Sequence, residues 1–196
     1  MASQPDDLVQ DVLITAILLL DTKGERIITK YYPNPNKSMK SVISLEDQQK
    51  LEQSLTNAVS RSSFRGEMDI CIVDSYVGVY SQHDDVRLFV VIDSSESETI
   101  ASMLLATLSQ GLQYLFDFRV NKGNILNAID LVMFLLDECV DNGYILELDA
   151  DEVLKRVSMR DKDDQNPDNV KSFQQQDTSL ANAIGMATSA FFRGWQ

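Results

Sequence analysis

The alternation of hydrophobic and polar positions changes period several times along this chain, and each change marks an element. From Val12 to Leu20 both alternating sets, Val12/Ile14/Ala16/Leu18/Leu20 and Leu13/Thr15/Ile17/Leu19, are mainly apolar, which predicts a strand covered on both faces. The link Asp21-Thr22-Lys23-Gly24 puts an aspartate at the first position of a type I turn and a glycine where a left-handed backbone is needed. A second strand runs on to Tyr32, and Arg26 and Lys30 among its apolar residues suit a place near a sheet edge. After a turn-rich stretch, Ser44 and Asp47 approach a capping box, and Leu51, Leu55, Ala58 and Val59 recur at helical spacing. Three short strands follow in "EMDICIVD", "YVGVYSQ" and "VRLFVVID". Links as short as Asp74-Ser75 and His83-Asp84-Asp85 make them antiparallel neighbours. Two long helices, about residues 96 to 118 and 124 to 142, carry apolar stripes. The first stripe is Ile100, Leu104, Leu108, Leu112 and Leu115; the second is Ile125, Ile129, Val132, Leu136 and Val140. The order β-β-α-β-β-β-α-α predicts the α+β class, a five-stranded antiparallel sheet flanked by helices.

The pattern is lost twice, at an acidic turn and in the tail. "LDECVDNGYILELDADEV", residues 136 to 153, surrounds Gly143 with Asp137, Glu138, Asp141, Glu147, Asp149, Asp151 and Glu152. With Gly143 as the sixth residue of an EF-hand loop, Val140 falls on a ligand position, and a valine cannot ligate calcium. The structural reading uses more residues. Gly143 becomes the left-handed cap of the preceding helix, Tyr144, Ile145 and Leu146 pack back, and Asp149 with Glu152 opens a helix whose apolar stripe is Val153, Leu154 and Val157. Residues 161–179 turn polar and almost lack aliphatics, the composition of a flexible linker. Leu180, Ile184, Ala187, Phe191 and Trp195 then restore helical spacing, so residues 180–196 are expected to form an amphipathic helix, a candidate contact for a partner or a membrane. The expected organisation is a flexible N-terminus (1–10), one domain (11–160), the linker and the C-terminal helix.

Composition then narrows the function. Thirty acidic and seventeen basic residues give a formal charge of −13, which repels nucleic acid and disfavours direct adsorption to anionic lipid. Neither a secretory apolar segment nor a run of the ~20 apolar residues that span a bilayer is evident. Cys71 and Cys139 read as buried thiols of a reducing compartment. His83, the single histidine, falls in a turn beside Asp84 and Asp85 and has no nucleophile elbow, reactive-cysteine setting or phosphate loop with it. Catalytic residues, a metal site and a cofactor are therefore not expected.

Three stretches together resemble the zeta subunits of coatomer, the coat of Golgi transport vesicles. "AILLLDTKGERIITKYY" is similar to that family's opening hairpin, through Asp21, Gly24, Arg26, Lys30, Tyr31 and Tyr32. "GVYSQHDDVRLFVVIDSSESE" resembles its middle hairpin. "LDECVDNGYILELDADEVLKRVSMR" carries the most specific match, at Asp137, Glu138, Asp141, Gly143 and Asp149. The resemblance implies a longin-like fold and a noncatalytic, cytoplasmic small subunit. It implies pairing with the large gamma-type subunit, in company with beta and delta, and recruitment to Golgi membranes through Arf-family GTPases for Golgi-to-ER and intra-Golgi transport. The alternatives are a clathrin-adaptor sigma-type small chain, which shares the fold, and a membrane- or partner-sensing module acting through the C-terminal helix.

Overall fold

Alternation, turn chemistry and helical periodicity give the expected order of elements in the computed structural model, which describes residues 12–34, 44–61 and 68–163. The elements are β1 (Ile14–Asp21), β2 (Arg26–Tyr31), α1 (Leu45–Arg61), β3 (Asp69–Val73), β4 (Tyr76–His83), β5 (Val86–Asp93), α2 (Glu98–Leu115), α3 (Lys122–Asn127), α4 (Ile129–Cys139), β6 (Val140–Asp141), β7 (Tyr144–Ile145) and α5 (Ala150–Asp163). The chain divides into compact units after Val157, and of the second unit only residues 158–163 are described. The linker predicted for 161–179 starts three residues inside α5, which runs on through Asp163; its remainder, the predicted flexible N-terminus (1–10) and the helix at 180–196 lie outside the described residues.

The five long strands form one antiparallel sheet in the order β2-β1-β5-β4-β3. β1 is flanked on both sides and β2 stands at an edge, as the apolar and mixed patterns of the two strands require. Each face of the sheet carries its own core. Ala16, Leu18, Leu20, Phe89 and Val91 pack with Leu51, Leu55 and Val59 of α1. Ile17, Leu19, Leu88, Val90 and Ile92 pack with Leu104, Leu108 and Leu112 of α2, Leu135 and Leu136 of α4, and Val153 and Val157 of α5. Leu55 is fully buried, a change worth ~1.5–3 kcal/mol for one such side chain. It fits because Gly78 beneath it has no Cβ; an added one would come within 2.8 Å of Leu55 Cδ2.

β1 departs from simple alternation in one respect. Its pairing with β5 slips between Ile14 and Ala16, a bulge at Thr15 that reverses the parity of the strand. Val12 and Ile14, read from the sequence as sharing a face with Ala16, Leu18 and Leu20, instead belong to the opposite core with Ile17 and Leu19.

The second long helix also differs from expectation. It breaks at Ala128 (φ −132°, ψ 43°) into α3 and α4, and α4 ends at Cys139 rather than near 142. The break rotates the apolar stripe, so Val132, Leu135, Leu136 and Cys139 are buried while Ile129 is exposed. Val140, predicted on that stripe, is extended and opens β6.

Gly143 is not a helix cap. With Asn142 at φ 49° and Gly143 at φ 88°, the two residues make the primed turn that a two-residue hairpin favours, and β6 and β7 pair across it. The Ile14 N–H donates to Gly143 O at 2.8 Å, and Leu13 bridges Tyr144, so the small hairpin grips the start of β1. Ile145 packs inward as expected, whereas Tyr144 and Leu146 are exposed.

Candidate partner-binding surface

The motif residues of the opening hairpin are structural anchors. Asp21 Oδ1 accepts from the N–H groups of Lys23 and Glu25, both at 2.9 Å, and Gly24 N donates to Asp21 O at 2.9 Å with Gly24 at φ +85°. Lys122 Nζ at the start of α3 reaches Asp21 Oδ2 at 2.9 Å and Glu25 Oε2 at 3.5 Å. Burial pushes the Asp21 carboxyl up, but the hydrogen bonds from Lys122 and from the Glu25 and Lys23 backbone outweigh it and hold its pKa at about 2.

On the α1 face, buried Glu52 takes Arg26 Nε on Oε2 and the Tyr31 hydroxyl on Oε1, each at 2.7 Å. Burial first, and then the hydrogen bond to Glu52, raises the Tyr31 phenol well above its ordinary value. Lys30 pairs with Asp137 and lies 5.8 Å from the centre of the Tyr32 ring.

The acidic stretch divides its charges among cations and backbone. Asp137 goes to Lys30, and Arg156 reaches Glu147 at 3.0 Å and Glu138 at 3.9 Å. Asp149 caps α5, accepting from the N–H of Asp151 at 2.9 Å and of Glu152 at 3.3 Å. The reciprocal half of the expected capping pair is supplied by another residue: Glu147 Oε1, not Glu152, receives the N–H of Asp149. Among the described residues no three His, Cys, Asp or Glu side chains converge to hold a metal ion.

His83 Nε2 sits 2.8 Å from Ser109 Oγ and 3.2 Å from Ser81 Oγ, and burial lowers its pKa. It links β4 to α2. Burial lifts the thiols of Cys71 and Cys139 to about 11 and about 12, so both stay protonated at neutral pH. They lie in different cores, which keeps them apart.

Recognition has better material at the sheet edge. β3 puts Cys71 toward α1, so alternation turns Ile70 and Ile72 to the opposite face. There α2 packs on β5 and β4, and the two isoleucines stay 47% and 72% exposed. They flank β3, which has no second strand neighbour among the described residues, so a partner strand or helix would find both apolar surface and backbone groups to engage. A second exposed group follows α2. Asp117 (φ 48°) and Phe118 (φ 61°) are left-handed, a conformation costing ~1–3 kcal/mol for a residue other than glycine, and Phe118 is 78% exposed. Leu126 and Ile129 are exposed around the break at Ala128.

Sequence patterns missed Glu52, Lys122 and Arg156, because each meets its partners only through tertiary packing. They also missed Ile70 and Ile72, whose alternation reads as that of any half-buried strand. The predicted contact residues Leu180, Ile184, Phe191 and Trp195 lie outside the described residues.

The described residues thus form one antiparallel sheet with α1 on one face and α2, α4 and α5 on the other, and they leave Ile70 and Ile72 exposed beside its β3 edge. The chain belongs to the clathrin adaptor complex small chain family, whose profile matches residues 13–164. Within that family it is similar to coatomer zeta subunits. It is 35% identical over 142 residues to coatomer subunit zeta-3 of Oryza sativa subsp. japonica, covering 72% of this chain and 77% of that one. It is 33% identical over 150 residues to coatomer subunit zeta-2 of Mus musculus, covering 76% and 68%. A chain of a homology model of the full-length AP-3 complex in a stretched open conformation shares the fold, with a TM-score of 0.57 at 18% identity over 77% of this chain and 95% of that one.

Proposed function

We propose that this chain is the noncatalytic small subunit of a coatomer-type vesicle coat, gripped by a large gamma-type subunit and working beside beta and delta subunits in Golgi-to-ER and intra-Golgi transport. The observation that carries the reading is the exposed pair Ile70 and Ile72 on the sheet edge of a chain with zeta-type relatives. An obligate interface is apolar and buries more than ~2,000 Å², and an apolar sheet edge supplies the start of one. On this reading the subunit is cytoplasmic and reaches Golgi membranes through its partners and an Arf-family GTPase. No described helix is long and apolar enough to cross a bilayer, and a charge of −13 opposes direct binding to anionic lipid.

Its mechanism is mutual stabilisation. The small domain gives a rigid sheet edge and apolar side chains to the large subunit, which orders around them. Coexpression of the full chain with a gamma-type large subunit is expected to give a heterodimer that stays together through purification. Two separately soluble proteins that do not copurify would overturn the reading.

A further inference from the structure

A buried charge at one corner of the sheet has no counterpart within the described chain. On the side of the β1–β2 and β4–β5 turns, Arg26, Leu20, Arg87 and Gln82 lie side by side across β2, β1, β5 and β4. Residues directly opposite in an antiparallel pair share a face, and Leu20 belongs to the core under α1, so Arg87 points to that side. Arg87 is only 9% exposed, and its Nε and Nη1 are buried with no acceptor among the described residues. Thr56 on α1 lies against Gly24 of the neighbouring turn, and its Oγ1 is likewise buried and unpartnered.

A guanidinium keeps its charge at any physiological pH, so burying it without an acceptor carries the full desolvation cost. The two buried carboxylates among the described residues are already taken. Glu52 holds Arg26 and Tyr31, and Asp21 holds Lys122 and two backbone N–H groups.

We propose that this corner is a carboxylate-binding site, filled in the assembled coat by an acidic side chain of the large partner subunit, with the Arg87 guanidinium and the Thr56 hydroxyl as donors. The planar fork of arginine matches a carboxylate. A phosphate dianion fits less well, because the turns at this end carry Glu25, Asp84 and Asp85. Gln82, the β4 neighbour of Arg87, is exposed, so the site opens at its β4 rim. The carboxylate site stands on the geometry alone, while the chain that fills it rests on the coat-subunit reading.

The full chain and its Arg87→Met and Arg87→Lys variants are melted in sodium acetate and in sodium chloride at equal ionic strength. Acetate is expected to raise the midpoint of the native chain above its chloride value and to leave Arg87→Met unchanged; equal midpoints for the native chain in both salts overturn the site. In chloride Arg87→Met is expected to melt no lower than the native chain, since an unpaired buried charge gives way to an apolar side chain. A lower midpoint for both variants shows Arg87 already paired inside the chain and overturns the proposal. Affinity for the gamma-type subunit is expected to fall about tenfold or more in both variants. Unchanged affinity overturns the assignment of the acidic partner while the coat-subunit reading stands. If the native chain itself does not bind that subunit, the coat-subunit reading and the assigned partner fall together, and the acetate result still decides the site.

Discussion

Asp21 holds the first hairpin at three points, through its own carbonyl, two backbone N–H groups and Lys122. Its pKa of about 2 lies below the ordinary aspartate value of 3.8, so the folded state favours the ionised form. The stabilisation is then complete above the unfolded value, near pH 4, and is lost as pH falls through about 2. Asp21→Asn keeps a side-chain acceptor for the turn but loses the charge that pairs with Lys122. The stability difference between native and Asp21→Asn chains, from denaturant titrations, is expected to be constant above pH 5 and to shrink steadily between pH 4 and pH 2. A difference independent of pH over that range would show that the carboxylate charge contributes nothing. At this scale the sequence was informative where chemistry is local: Asp21 and Gly24 are three residues apart and announce their turn. Glu52 and Lys122 were illegible because their partners lie 26 and 101 residues away.

At the scale of elements, apolar periodicity located the five strands of the sheet and, of the described helices, α1, α2 and α5, and failed where the backbone interrupts its own period. The bulge at Thr15 and the break at Ala128 each shift a stripe by a fraction of a turn or one strand position, and neither site carries a glycine or proline to signal it. Gly143 was legible as a left-handed position but not as part of a hairpin, because β6 and β7 have two residues each and leave no readable alternation. Their role is to close the end of β1. Gly143→Ala sets a left-handed alanine with its Cβ 2.9 Å from Ile14 O, the carbonyl of the residue whose N–H the hairpin receives. The backbone term alone is ~1–3 kcal/mol, and the contact adds to it. Gly143→Ala is expected to lower stability by about 2 kcal/mol or more, with amide exchange accelerated first at Ile14 and Tyr144. The control Asn142→Gly, at a position with φ 49°, should change stability by less than ~1 kcal/mol. Equal effects of the two substitutions would remove the special role given to Gly143.

For the molecule as a whole, a charge of −13 keeps free copies apart, yet the sheet presents two isoleucines at an open edge. Those features are compatible if the edge is covered by a different chain. Solvent-exposed Ile72 has little packing to lose, so Ile72→Lys is expected to change the stability of the free chain by no more than ~0.5 kcal/mol. In the complex the same lysine would have to be buried against apolar surface without a partner, and a central apolar contact is worth ~2 kcal/mol or more when lost. On the proposed coat-subunit reading, pairing with the gamma-type subunit should therefore weaken at least tenfold for Ile72→Lys, and further for the double change with Ile70→Ser. Thermal melting of the free chain and calorimetric titration of the partner separate the two effects. A lowered midpoint would mark Ile72 as a core residue, and unchanged affinity with an unchanged midpoint would move the partner to the surface at Phe118, Leu126 and Ile129.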